Sequence, residues 1–134
     1  MTEHPAHAAG RRSREAVQAK DKQAWLEVFA DDAIVEDPIG HRLSTLKARG
    51  TGQGSDLGVL GQGDRPADKI EFNFRDTFQC GNEEANVGNI VITMGEHQIT
   101  AEGVFTYKVD DDGKLVALRA YWEMDRAAAT ARPV

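Results

Sequence analysis

At Lys69 the spacing of apolar residues along this chain drops from three or four to two, and stays there nearly to the end. In "IEFNFRDTF", Ile70, Phe72 and Phe74 alternate with Glu71, Asn73 and Arg75, the pattern of a strand with one buried face. "ANVGNIVITM" and "HQITAEGVFTYKV" follow as β-rich runs separated by the turn "GE", and "KLVALRAYWEMD" is the last strand. "DDDG" before it is a hairpin turn, since Asp-Gly suits the φ > 0 positions that short loops need. Links this short join antiparallel neighbours, because a parallel pair needs a long crossover. The second half of the chain therefore reads as a four-stranded meander.

The first half carries helical spacing. A pattern from Arg11 to Lys20 offers a thin apolar side of Ala16, Val17 and Ala19. Asp21 is a good N-cap for a second helix, "KQAWLEVFA", in which Trp25, Val28 and Phe29 fall at i, i+3 and i+4. "DDA" ends it, and "IVEDPIG" leads out as an extended segment. Residues 1–10 are small, polar and Pro-containing, which predicts a flexible terminus ahead of a single domain over 11–134. The glycine-rich stretch 40–68 has no clear period; a helical turn around "SDLGVLGQ", capped by Ser55 or Asp56, is its one suggestion of structure. Helices followed by strands predict an α+β fold with the helices on one face of the sheet.

Several strands are apolar on both faces. Ile99, Ala101, Gly103, Phe105 and Tyr107 share one face, and Val104 interrupts the polar one opposite. In the last strand Val116, Leu118, Ala120 and Trp122 oppose Leu115, Ala117, Arg119 and Tyr121. One face meets the helices; the other is predicted to be covered by a second copy of the chain.

With 134 residues and a net charge of −6, the chain is long enough for a core or an apolar pocket and lacks the clustered Lys/Arg that nucleic acid or an anionic membrane requires. Its one basic cluster, Arg11, Arg12 and Arg14, has no interleaved aromatics. The single cysteine, Cys80, gives no disulfide framework, and His4, His7, His41 and His97 are scattered without ligand spacing, so neither a metal nor a cofactor is predicted. No apolar run would span a bilayer, and "MTEHPAHAAG" has acid, His and Pro where a signal peptide needs basic then apolar residues; the expectation is a cytoplasmic protein.

The candidate for chemistry is in "VEDPIG". Neighbouring side chains of an extended segment point to opposite faces, so Glu36 and Asp37 are separated, and Pro38 holds Asp37 out of the α region. Asp37 is then a general base whose apolar neighbours limit water, or a capping acid at a strand edge. "GTGQG" lacks the strand before it and the Lys-Ser/Thr after it that a phosphate loop needs, and "DDDG" lacks the rest of a calcium loop.

"FADDAIVEDPIG" together with "VDDDGKLVALRAYWEMD" strongly resembles the bacterial steroid Δ5-isomerases (ketosteroid isomerases) of the nuclear-transport-factor-2-like, SnoaL-like superfamily. The resemblance runs over nearly the whole chain and is weakest in the glycine-rich middle. It implies a cone-shaped curved sheet wrapped over helices, an apolar pocket for a steroid-like ligand, and a homodimer through the other sheet face. It places Asp37 on the family's catalytic base, which moves a proton beside a ketone, and Trp122 on a pocket-wall tryptophan. That chemistry uses an oxyanion hole of a Tyr and a protonated Asp. Here those two positions fall on Ser13 and Phe105. A phenylalanine donates no hydrogen bond, and a serine is too short to replace a phenol.

Substitute donors are Tyr107, on the face of Phe105; Asn86, if it faces inward; and Ser13 through water. Tyr107 also reads as a core aromatic, Asn86 as a strand-start residue, and His41 as a solvated loop residue or part of the cavity mouth. The predicted pocket wall is Trp25, Phe72, Phe74, Gly103, Phe105, Leu118, Ala120 and Trp122, with Gly103 leaving room for a flat ligand. The expectation is an isomerase-like protein of weak or altered activity, against a non-catalytic ligand binder or a polyketide cyclase. Cyclase chemistry favours a late-strand acid, and Glu102 has outward parity; the last acid of an epoxide-hydrolase set would fall on Ala120.

Overall fold

The computed structural model describes residues 3–40, 42–44, 61–62 and 65–134. Helix α1 spans Pro5–Ala19 and α2 spans Lys22–Glu27. Strands β1 (Phe29–Glu36) and β2 (Arg42–Ser44) follow, then a small ladder of β3 (Gly61–Gln62) and β4 (Arg65–Pro66). The long strands are β5 (Lys69–Cys80), β6 (Glu83–Met94), β7 (His97–Val109) and β8 (Leu115–Trp122). A short helix α3 (Met124–Ala128) and strand β9 (Arg132–Pro133) close the chain, two elements the sequence pattern does not announce.

The curved, unclosed sheet has the order β2-β1-β8-β7-β6-β5, with β9 paired to β7. Strands β5 to β8 form an antiparallel meander, and β1 joins β8 in parallel. Gly95 (φ 63°) and Gly113 (φ 79°) make the turns at "GE" and "DDDG", in backbone conformations costly for a side chain with a Cβ.

Two boundaries and one register differ from the sequence expectation. The helix begins at Pro5, inside the stretch expected to be flexible. Pro5 occupies the first helical position, where its missing N–H costs nothing, and His4 Nδ1 accepts from Ala6 N. Ala6 and Ala9 are fully buried, so this turn is part of the core. The second helix stops at Glu27 rather than continuing through "VFA", because Phe29 enters β1, pairs with Leu115 and packs on Trp25 with ring centroids 4.4 Å apart. In β8 a register shift between Lys108 and Val109 turns Leu115 inward, against the simple alternation; it is fully buried. Residues 45–60, with Ser55, Asp56 and "GTGQG", lie outside the described residues, as does His41.

Helix α1 packs across β5 to β8. Its inward stripe is Ala6, Ala9, Gly10, Ser13, Ala16 and Val17, all small, so the helix backbone comes close and the sheet supplies the bulk. The core between them includes Trp25, Leu26, Tyr107, Val109, Leu115 and Leu118. Asp21 Oδ1 caps α2 by accepting from Ala24 N at 3.0 Å.

Candidate functional site

The two acids at the end of β1 part company. Glu36 turns outward and its Oε1 accepts from Arg119 Nε at 3.2 Å. Asp37 turns the other way, and its Oδ1 accepts the Trp122 indole N–H at 2.7 Å. The Asp37–Pro38 peptide is cis, and Ile39 N donates to Ala120 O at 2.9 Å, holding the segment against β8. Burial pushes the Asp37 carboxyl above the usual carboxylate range, with the Trp122 hydrogen bond pulling the other way.

Strand register orders the rest into rows on the helix-covered face. Trp122, Gly103, Gly88 and Phe74 form the row nearest Asp37. Ala120, Phe105, Asn86 and Thr77 come next, then Leu118, Tyr107, Glu84 and Gln79. On the other side of Gly88, Ala101, Ile90 and Phe72 continue the apolar surface. Aromatic rings dominate near the middle: Phe74 lies 6.0 Å from Phe72 and 5.6 Å from Phe105.

Ser13 is buried, and its Oγ accepts the Trp25 indole N–H at 3.1 Å. The serine at the tyrosine position is thus committed to a core tryptophan, which is itself fully buried. Phe105 is buried within the aromatic group. Asn86 faces inward, but its polar atoms are engaged. Thr77 Oγ1 donates to Asn86 Oδ1 at 2.8 Å, and Asn86 Nδ2 donates to Glu84 Oε1 and Phe105 O.

Gly103 needs a correction. A Cβ there would run into Tyr121 O and lie 3.2 Å from Trp122 Cβ, so its missing side chain lets β8 approach rather than leaving room for a ligand.

Tyr107 is buried beneath α1, its ring so close to Gly10 that a Cβ there would lie 2.8 Å from the ring. Burial raises its phenol, while the charge of the nearby Arg14 guanidinium pulls the other way. Arg14 itself spans two rings, its guanidinium carbon 5.3 Å from the Phe74 centroid and 5.6 Å from that of Tyr107. Glu84 is the second group that pattern reading missed. It is fully buried, 2.7 Å from His7 Nδ1, and accepts from Gln79 Nε2 and Asn86 Nδ2. Two signals could have found them: Arg14 continues the Ala6–Gly10 stripe at i+4, and Glu84 has the inward parity of Asn86 once the strand starts at Glu83. Glu102 lies outward, 2.7 Å from Arg75. Among the described residues no group of three His, Cys, Asp or Glu could hold a metal ion, and no helix is long and apolar enough to cross a membrane.

The sequence profile of the SnoaL-like domain matches residues 11–118, which takes in β1 to β7 and the first half of β8. The chain belongs to the SnoaL-like domain family. Among solved structures it is similar to RV0760c from Mycobacterium tuberculosis, at 26% identity and a TM-score of 0.79, over 100% of this chain and 99% of that one. RV0760c has also been solved in complex with estradiol-17beta-hemisuccinate. The Delta 5-3-ketosteroid isomerase from Mycobacterium sp. is 28% identical, with a TM-score of 0.75, over 98% of this chain and 100% of that one. A computationally designed 17-OHP binder, 24% identical over 99% of this chain and 98% of its own, shares the fold at a TM-score of 0.75. No curated protein sequence matches the chain.

Proposed function

We propose that this SnoaL-like protein takes a flat, apolar, steroid-like ligand against the aromatic inner face and that Asp37 acts on it as a general base next to a ketone. The observation that carries the reading is the 2.7 Å bond from Trp122 Nε1 to Asp37 Oδ1. It fixes the carboxylate at the edge of an apolar surface and leaves its second oxygen to take a proton. Burial raises the pKa of Asp37, bringing a carboxylate nearer to what a base at neutral pH needs. The likeness to a ketosteroid isomerase and to a protein that holds an estradiol ester supports the ligand class.

Activity of the steroid isomerase kind is weak or altered. Loss of one oxyanion donor costs ~10²–10³ in turnover, and here one position carries phenylalanine and the other a serine bound to Trp25. That same deficit favours a second reading, in which the chain binds such ligands without turning them over. A spectrophotometric assay with 5-androstene-3,17-dione separates the two. Conjugated product that disappears in Asp37→Asn supports the base. Tight binding of a phenolic steroid with no product, unchanged in that variant, sinks it and leaves the binder.

The outward sheet face supports a homodimer. Val87, Val104 and Tyr121 lie directly opposite one another across β6, β7 and β8, an apolar row flanked by the ion pairs Arg75–Glu102 and Arg119–Glu36.

A further inference from the structure

Arg14, half-buried, brings a guanidinium inside the fold. Among the described residues its buried Nη1 has no hydrogen-bond partner and none of the ion pairs involves it. Buried guanidinium donors are normally all satisfied, so an orphan one asks for an explanation. The nearby carboxylate does not supply it: both oxygens of Glu84 are taken by His7, Gln79 and Asn86. The aromatic faces of Phe74 and Tyr107 accommodate the charge but accept no directed hydrogen bond. Arg14 also lies over the ring of Tyr107, whose phenol O–H is a second donor close by.

We propose that Arg14 and Tyr107 form an anion subsite on the inner face, and that the ligand of this chain carries a negatively charged oxygen, resting or developing, which they hold. An orphan guanidinium N–H and a neighbouring phenol O–H are two donors of the kind that bind carboxylates, phenolates and enolates. The row order keeps this subsite away from Asp37. Tyr107 lies two rows from Trp122, the residue that anchors Asp37, so a flat ligand reaches both with its charged oxygen at one end and its acidic C–H at the other. The inference rests on the proposed ligand site and names its chemistry: an acidic ketone, phenol or carboxylic acid with a flat apolar body, in preference to a neutral ketone alone.

The test uses two flat probes of like shape, 2-naphthoate and neutral 2-acetylnaphthalene, titrated against the whole protein by tryptophan fluorescence. The wild type is expected to bind the naphthoate at least tenfold more tightly. Arg14→Gln should abolish that preference while leaving ketone binding within about twofold, Arg14→Lys should retain part of it, and Tyr107→Phe should reduce it several-fold. Thermal melts identify any variant that fails to fold, and Arg14→Lys keeps the charge if Arg14→Gln does. Equal affinity for the two probes in the wild type, no binding of either, or a preference that survives Arg14→Gln overturns the subsite. None of these outcomes depends on Asp37, whose role is decided by turnover.

Discussion

Asp37 is half-buried, with one oxygen held by Trp122 and a carboxyl whose pKa burial raises. Its pKa is thus higher in the folded chain than in the unfolded one, where a carboxyl titrates near ~3.9. The sign follows from linkage. Folding favours the protonated form, so this contribution to stability is complete below the unfolded pKa and is lost as pH rises through the folded one. Asp37→Asn stays neutral and can still accept the indole N–H, so it should melt at a higher temperature than wild type at pH 8, with the gap closing at pH 4. Turnover runs the opposite way: the base must be ionised, so kcat/KM should climb with pH through the folded Asp37 pKa. Trp122→Phe removes the group that lowers this pKa and should move the profile to higher pH. Ser13→Ala strands the buried Trp25 N–H and should cost about 1–3 kcal/mol by chemical denaturation. Asp37 was legible because adjacent acids before a proline must split between faces. Arg14 and Glu84 were not, because charged residue types are assigned to solvent by any pattern reading, and only packing showed them inside.

The long strands could be read because a period of two over twelve or thirteen residues has no competing explanation. The junction of α2 and β1 could not, since Phe29 satisfies both the helical spacing from Trp25 and the buried first position of a strand. The start of α1 was hidden by alanines, too weak a pattern to outweigh the proline and histidines around them. Two glycines now carry predictions for these elements. Gly10→Ala drives a Cβ into the Tyr107 ring and should cost about 1–3 kcal/mol as α1 shifts outward, visible as a lower midpoint in urea. Gly103→Ala meets backbone rather than a movable side chain, so it should cost more than Gly10→Ala in the same measurement and unpair β7 from β8.

For the whole molecule, the row of Val87, Val104 and Tyr121 faces away from α1. If a second copy covers it, Val104→Glu should convert a dimer at micromolar concentration into a monomer with the same secondary structure, by sedimentation and circular dichroism; a wild type that sediments as a monomer refutes the dimer. The layering of helices on one sheet face followed from element order alone, whereas the path of β1 did not, because nothing in its residues says that it will lie parallel to β8. That pairing has a further consequence. Phe29–Glu36 meets Leu115–Arg119 across most of the chain, while β5 to β8 join neighbours through tight turns. Contacts so far apart in sequence bear the greatest loop-closure penalty and form late. On refolding, the meander should gain amide protection first, and residue 37 should reach its indole only when the two ends of the polypeptide finally zip together.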